Sequence, residues 1–426
     1  SRFNAIMKTI LFLSLLSPVA FASPLVDWFG DHDAKVPDFT RALSKEEAVK
    51  AKAEVWAAYE KHARKEGWEK EFPLKDEGMD AWVKERKIQP LIADLGKKKM
   101  PYLIIKKGEK PKGGWPLFFA LHGGGGNAKA EGPHTWQVNT REWYAQMQLT
   151  TKVYEPAGLY VIPRMADDRE GRWYYGYNQV FLDRMIRRGI LFGEVNPNRV
   201  YLMGISEGGY TAFRLGSLMA DRWAGSCAMA AAEPLKNAPP ENLRHVAFRC
   251  GIGEKDTMFD RIGLARTYFK KIEEIKKEAG SGYQNFFDEQ AGKGHGIDYK
   301  PGPTWIAKFQ RNPIPKQIDW TVIRQHDRSR DQMYWLGLTG EPKELPLKLT
   351  AQIRGQVVGI TSDGPAKLRV LLDDRLLDLD QEVTILVNGL AKFQGKVPRN
   401  LAGILKSTAG RGDPELVFPA EVILEE

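Results

Sequence analysis

Three side chains in this 426-residue chain have the types and the order that acyl transfer needs: Ser206, Asp256 and His295. A serine hydroxyl attacks a carbonyl carbon only when a base takes its proton. An imidazole serves as that base when a carboxylate fixes its tautomer and steadies the cation that forms. Ser206 sits in Gly204-Ile205-Ser206-Glu207-Gly208-Gly209, behind the apolar run Val200 to Met203 and ahead of a helical pattern that begins at Tyr210. A strand turning sharply into a helix forces the serine into a strained conformation and lifts its hydroxyl clear of the backbone, with Gly204 and Gly208 leaving room for the turn. The pentapeptide alone is a weak signal in a chain with 41 glycines, so its context decides. Asp256 follows the apolar run His245 to Gly251, in Gly253-Glu254-Lys255-Asp256-Thr257, with Glu254 and Asp260 as competitors for the role of acid. His295 lies in the glycine-flanked Gly292-Lys293-Gly294-His295-Gly296. The other histidine after Asp256, His326, stands beyond the Pro-rich break Asn312 to Pro315 amid charges and reads as solvated.

A second group of residues could stabilise charge. Leu117 to Leu121 runs into His122-Gly123-Gly124-Gly125-Gly126-Asn127, where glycines let backbone amides approach a substrate. Two preorganised N–H donors aimed at a developing oxyanion are worth about 3 to 4 kcal/mol each in activation energy. The candidates are the amides of Gly124 and Glu207, with Gly123 beside them. A phosphate loop is the competing reading, but no G-K-[ST] follows and the G-x-G-x-x-G pattern lacks its acidic partner. The carboxylate of Glu207 would oppose an oxyanion, so its side chain is expected to turn away and pair with a nearby base or tyrosine. The alternative is that it binds a cationic substrate group. Arg172-Trp173-Tyr174-Tyr175-Gly176-Tyr177 is dense in aromatics, and Trp136 and Trp143 follow the glycine run. Trp173, Tyr174 and Trp136 are candidates for a substrate wall suited to sugar or phenolic rings, with packing of the following helix as the plainer alternative.

Positioning these groups requires a sheet. Short apolar runs at Tyr102 to Lys106, Leu117 to Leu121, Leu159 to Pro163, Val200 to Met203, Gly225 to Ala231, His245 to Gly251 and Asn285 to Gln290 read as strands. Helical patterns lie between them at Glu142 to Thr150, Asn178 to Phe192, Tyr210 to Trp223 and Arg261 to Ala279. Continuous apolar strands divided by helices imply a mainly parallel sheet covered on both faces, with chemistry at the carboxyl ends of the strands. Ser206, Asp256, His295 and the glycine run all fall at such ends.

The elbow GISEGG, the loop HGGGGN, the acid in GEKD and the base in GKGHG resemble the α/β-hydrolase superfamily, in its secreted esterases of the polyhydroxybutyrate depolymerase and feruloyl esterase type. The resemblance spans Pro101 to Phe309 and implies an α/β-hydrolase fold and a Ser-Asp-His order of nucleophile, acid and base. It also implies hydrolysis of a small-molecule or polymeric ester without a cofactor or metal. Similar elbows occur in prolyl oligopeptidase-type peptidases, so a serine peptidase is the alternative activity, although these 426 residues lack the length for the propeller domain those enzymes commonly carry. A catalytically inactive binding protein on the same fold is the non-enzymatic alternative.

Around this core the chain is expected to divide into four parts. Residues 1–22 read as a signal peptide, with 1–6 an upstream extension before Met7. Lys8, the apolar run Ile10 to Leu16 and the cleavage pattern Ala20-Phe21-Ala22 carry that reading and imply a secreted or periplasmic protein. Residues 23–100 form a helical segment packed on the main sheet, with a capping box at Ser44 and Glu47 and an apolar face including Val49, Val55, Trp56 and Tyr59. Residues 101–315 make the hydrolase domain. Residues 316–426 are β-rich: Ile318 to Arg324, Gln332 to Leu338, Leu349 to Arg354, Lys367 to Leu372, Val383 to Val387, Ala391 to Lys396 and Leu416 to Leu424 read as strands. Turns at Asp363-Gly364 and Asn388-Gly389 suggest hairpins in a small sandwich, serving as a carbohydrate-binding module or as a brace.

Composition bounds the rest. The net charge of +9 falls to +7 without Arg2 and Lys8, and from Pro346 onward ten Lys and Arg meet eleven Asp and Glu, so the excess lies in the larger part. Lysines mixed with glutamates, without a zinc-finger or RNA-binding signature, point to no nucleic-acid partner. No stretch has transmembrane length. Cys227 and Cys250, each inside an apolar strand, read as two buried thiols. Nothing in the sequence specifies an oligomeric state.

Overall fold

A computed structural model describes residues 22–74 and 89–425. The proposed leader therefore lies outside the described residues, save for Ala22. Among the described residues no helix is long and apolar enough to cross a membrane.

Eight strands form the central sheet: β1 (Leu91–Asp94), β2 (Lys99–Lys107), β3 (Trp115–Leu121), β4 (Gly158–Pro163), β5 (Val195–Ile205), β6 (Gly225–Met229), β7 (Ala247–Gly253) and β8 (Asn285–Gln290). Their order is β1-β2-β4-β3-β5-β6-β7-β8. β2 runs antiparallel to both its neighbours, and every pairing from β4 through β8 is parallel. The seven expected strands are present, and β1 is an addition. Every residue of β3, β4, β6 and β7 is buried, as strands covered on both faces must be. Alternation divides β3 between two cores. Leu117, Phe119 and Leu121 face one, and Phe118 faces the other, stacked between Tyr160 and Tyr201.

Two helices, α1 (Ala22–Gly30) and α2 (Lys45–Lys65), precede the sheet. Within and after it come α3 (Gln137–Lys152), α4 (Gly176–Phe192), α5 (Glu207–Leu218), α6 (Arg261–Ala279) and α7 (Pro301–Ile306). Two starts differ from expectation by several residues: α3 begins at Gln137 rather than Glu142, and α5 at Glu207 rather than Tyr210. The turn after Ser206 is so tight that the next residue is already helical. Cys227 and Cys250 are free and buried. Cys250 pairs with Ala228 across β6 and β7, so the two thiols point to opposite faces and cannot bridge.

The capping box of α2 is formed: Glu47 N–H donates to Ser44 Oγ at 3.1 Å, and Ser44 N–H to Glu47 Oε2 at 2.8 Å. α1 and α2 do not pack on the main sheet, however, although Phe72, Ala93 and Met100 farther along the segment join its core. Trp28 and Phe29 of α1 and Val55 and Tyr59 of α2 share a core with Leu191 at the end of α4 and with Ile404 and Leu405 of a C-terminal helix. Val49 falls off this stripe and is 66% exposed.

The C-terminal part is a small β-rich domain. It comprises β9 (Gln317–Val322), β10 (Arg324–Gln325), β11 (Arg328–Ser329), β12 (Gln332–Met333), β13 (Leu336–Leu338), β14 (Leu347–Arg354) and β15 (Val357–Ser362). β16 (Leu368–Leu372), β17 (Val383–Val387), β18 (Leu390–Gly395), helix α8 (Leu401–Arg411) and β19 (Ala420–Leu424) complete it. Five strands form one sheet, β18-β17-β15-β14-β9, and four another, β12-β13-β16-β19. Asn388-Gly389 makes the expected hairpin with φ of 50° and 80°. Asp363-Gly364 instead carries the chain from one sheet to the other. The single strand expected over Gln332 to Leu338 is a tight hairpin turning at Tyr334 (φ 55°). The all-β expectation also misses α8, whose ends carry ordinary helix signals: Asn400 Oδ1 accepts from Gly403 N–H at 2.8 Å, and Gly412 closes the helix at φ 56°.

Candidate active site

β5 delivers Ser206 into a conformation that side chains rarely adopt, φ 52° and ψ −109°, and α5 starts at the next residue. Glycine is required on both sides of this turn by close approach. A Cβ on Gly204 would meet the backbone of Gly208 at 2.3 Å, and one on Gly208 would meet the carbonyl oxygen of Leu121 at 2.4 Å. Ser206 N–H donates to Met229 O at 2.8 Å, which ties the elbow to the neighbouring strand.

The loops after β7 and β8 bring the acid and the base to the same edge. His295 Nε2 lies 3.1 Å from Ser206 Oγ, and His295 Nδ1 lies 2.7 Å from Asp256 Oδ2. With the carboxylate accepting from Nδ1–H, the lone pair on Nε2 faces the hydroxyl. Asp256 is buried, and its other oxygen accepts from Arg261 Nη1 at 2.9 Å, while His295 remains about half exposed. The competing residues do other work. Glu254 Oε2 accepts from Gly292 N–H at 2.7 Å and so anchors the histidine loop, and Asp260 stands at the start of α6 with φ 55°. His326 stacks on Tyr175, ring centroids 4.0 Å apart, and pairs with Asp327.

The glycine loop after β3 is held by residues that sequence reasoning missed. Asn139 of α3 pairs with Gly125 in both directions, donating to its carbonyl at 2.9 Å and accepting from its N–H at 3.0 Å. Asn139 also donates to Asp168 at 2.7 Å, and Asp168 receives both ends of the Arg164 guanidinium at 2.7 and 2.8 Å. These partners come from two further segments, so no local spacing announces them. His122 is buried, and burial pulls its pKa down to about 3. Its Nε2 accepts from Met165 N–H at 3.0 Å, which leaves Nδ1–H to donate to Gly123 O at 2.5 Å. The N–H of Gly124 (φ 95°) has no partner among the described residues, and Glu207, as first residue of its helix, has no carbonyl four residues back to bond.

The aromatic candidates separate. Trp173 is not a substrate wall: it is 2% exposed, and its Nε1–H donates to His122 O at 2.9 Å, bracing the glycine loop from behind. Trp143 is likewise buried, donating to Ile162 O at 3.0 Å. Tyr174 is half-buried with the Arg214 guanidinium 4.1 Å from its ring centre. Trp136 is half-buried at the start of α3, where its N–H donates to Asp168 at 2.8 Å. At the open rim beside Asp256, Met258 and Phe259 are exposed. The Glu207 side chain turns into the protein and pairs with Arg172. Burial pushes its pKa up to about 7 against the pull of Arg172, because one of its oxygens is buried without a donor.

No protein-family model matches this chain, and no curated protein does. Among solved structures it is similar to a thermostable esterase (19% identity, 49% of this chain and 56% of that one, TM-score 0.34). It is also similar to a poly(3-hydroxybutyrate) depolymerase from Bordetella parapertussis (14% identity, 52% of this chain and 90% of that one, TM-score 0.34). A ferulic acid esterase from Anaeromyces mucronatus is a third (13% identity, 56% and 94%, TM-score 0.32). The strand order, the lone antiparallel β2 and the sharp turn between β5 and α5 make residues 91–306 an α/β-hydrolase fold, followed by a small β-rich domain.

Proposed function

We propose that this protein is a serine hydrolase that cleaves carboxylic esters through an acyl-enzyme. The observation that carries the reading is the continuous hydrogen-bonded chain from Ser206 Oγ through His295 to Asp256, at 3.1 and 2.7 Å. His295 takes the proton of Ser206 as its oxygen attacks the ester carbonyl, and Asp256 stabilises the imidazolium. The tetrahedral oxyanion is received by the N–H groups of Gly124 and Glu207. His295 then protonates the departing alkoxide, and water repeats the sequence on the acyl-enzyme. Asp256, buried between His295 and Arg261, orients the base.

Labelling with a fluorophosphonate probe tests the proposal. Ser206 is expected to be the modified residue, and Ser206→Ala is expected to lower p-nitrophenyl acetate turnover by about 10⁴-fold or more with an unchanged circular dichroism spectrum. Undiminished turnover in that variant removes the assignment. A panel of acetylated sugars, feruloyl esters, hydroxybutyrate oligomers and proline peptides then separates an esterase from a peptidase.

A further inference from the structure

A cavity of about 480 Å³ lies in the seam between the α/β part and the β-rich domain, and none of Ser206, Asp256 and His295 lines it. Arg187 and Arg222 face it from one side, with Asp183. Arg328, Arg330 and Arg369 face it from the other, together with Lys406 and Arg411 of α8. Seven basic side chains thus meet three acidic ones, Asp183, Asp331 and Glu421.

Ion pairing within the wall uses only part of this charge. Asp183 takes Arg222 at 3.0 Å and Arg330 at 2.7 Å, Glu421 takes Lys406 at 3.2 Å, and Arg411 reaches behind the wall to Asp221 at 2.5 Å. Two guanidinium nitrogens of the lining, Nε of Arg411 and Nε of Arg369, are buried with no hydrogen-bond partner among the described residues, and Arg411 is 5% exposed. Arg222 Nη1 has no hydrogen-bond partner either and finds only Asp413, at 3.8 Å. Burial, reinforced by the neighbouring Arg411, pulls Arg222 down to about 9. Buried donors without partners, and positive charge in excess of the carboxylates that face it, are what a bound anion relieves.

We propose that this seam binds a tetrahedral oxyanion, a phosphate or sulfate group, either free or carried on a sugar-sized molecule. Guanidinium forks suit tetrahedral and planar oxyanions because they offer paired parallel donors. The volume exceeds what a lone oxyanion fills and lies in the range of small-ligand pockets. Both parts of the chain supply donors, so the ligand ties the β-rich domain to the hydrolase fold and stabilises the whole by mass action.

Calorimetric titration and thermal unfolding of the full chain test this, using sodium phosphate, sodium sulfate, glucose 6-phosphate and sodium chloride at matched ionic strength. Saturable binding of phosphate or sulfate with a rise in Tm, absent with chloride, is expected. Tighter binding of glucose 6-phosphate assigns the group to an ester-borne source, and tighter binding of inorganic phosphate assigns it to the free ion. Arg369→Gln is expected to weaken binding at least tenfold while keeping the circular dichroism spectrum. Lys406→Gln serves the same purpose should that variant fail to fold. A Tm that follows ionic strength alone, or equal affinity in wild type and variant, overturns the proposal.

Discussion

Ser206 occupies a backbone conformation that costs of order 1–3 kcal/mol, and the fold sustains it because Gly204, Gly208 and the hydrogen bond to Met229 leave no other path for the chain. The strain purchases an exposed hydroxyl in line with His295. Asp256→Asn tests the remaining partner: an amide that donates to Nδ1 forces the proton onto Nε2, the wrong tautomer for a base. The expected loss in kcat is about 10⁴-fold with KM little changed, read from ester kinetics at pH 7.5. Glu207 makes a separate prediction about stability. Its folded pKa is raised to about 7 from an ordinary 4.5, so between those values the unfolded chain has released a proton that the folded chain keeps. Stability therefore falls as pH rises through this window and levels off above it. Thermal unfolding at pH 5, 6, 7 and 8 is expected to show a flatter profile for Glu207→Gln than for wild type, and identical profiles would refute the burial argument.

At the scale of elements, the glycine loop and the start of α3 behave as one unit, because Asn139 reproduces for Gly125 the pair of hydrogen bonds that a neighbouring strand would supply. Losing it removes both of those bonds from a loop that no strand holds. Asn139→Ala is expected to lower kcat about tenfold, less than the loss of a direct oxyanion donor, with KM nearly constant. The elbow is less forgiving. Gly208→Ala places a methyl 2.4 Å from the carbonyl oxygen of Leu121, and the backbone must move to admit it. A destabilisation of about 1–3 kcal/mol or more is expected in denaturant unfolding, whatever the substrate.

Over the whole molecule, a single apolar cluster runs from Leu202 and Trp223 of the α/β part to Trp335, Leu372 and Phe418 of the β-rich domain. Buried ion pairs cross the same seam: Arg411 with Asp221, Arg311 with Asp413, and Arg330 with Asp183. Asp413 and Asp183 are held below the ordinary carboxylate range by those arginines despite burial. A shared core of this kind predicts one cooperative unfolding transition for both parts. Arg411→Met leaves Asp221 buried beside one fewer cation and is expected to cost about 3–5 kcal/mol, measured as a lowered midpoint that circular dichroism and tryptophan fluorescence report together.

Local chemistry was enough to place much of this protein. Apolar runs mark β3, β4, β6 and β7 because strands buried on both faces tolerate little else, and Ser206, Asp256 and His295 each follow a strand that the sequence marks. Asn400 and Gly412 carry the signal for α8 as well, although the alternating segments on either side of it point to strands alone. Other features belong to tertiary structure alone. Trp173 looks like a substrate platform in a string of aromatics, and only its burial against His122 shows it to be a brace. Asn139 reaches Gly125 and Asp168 from a different segment of the chain, so no local spacing could bring it to the loop. α1 and α2 pack on α8 and the end of α4 rather than on the main sheet, whose faces its own helices cover, and a stripe of apolar side chains records that a helix needs a partner without recording which one.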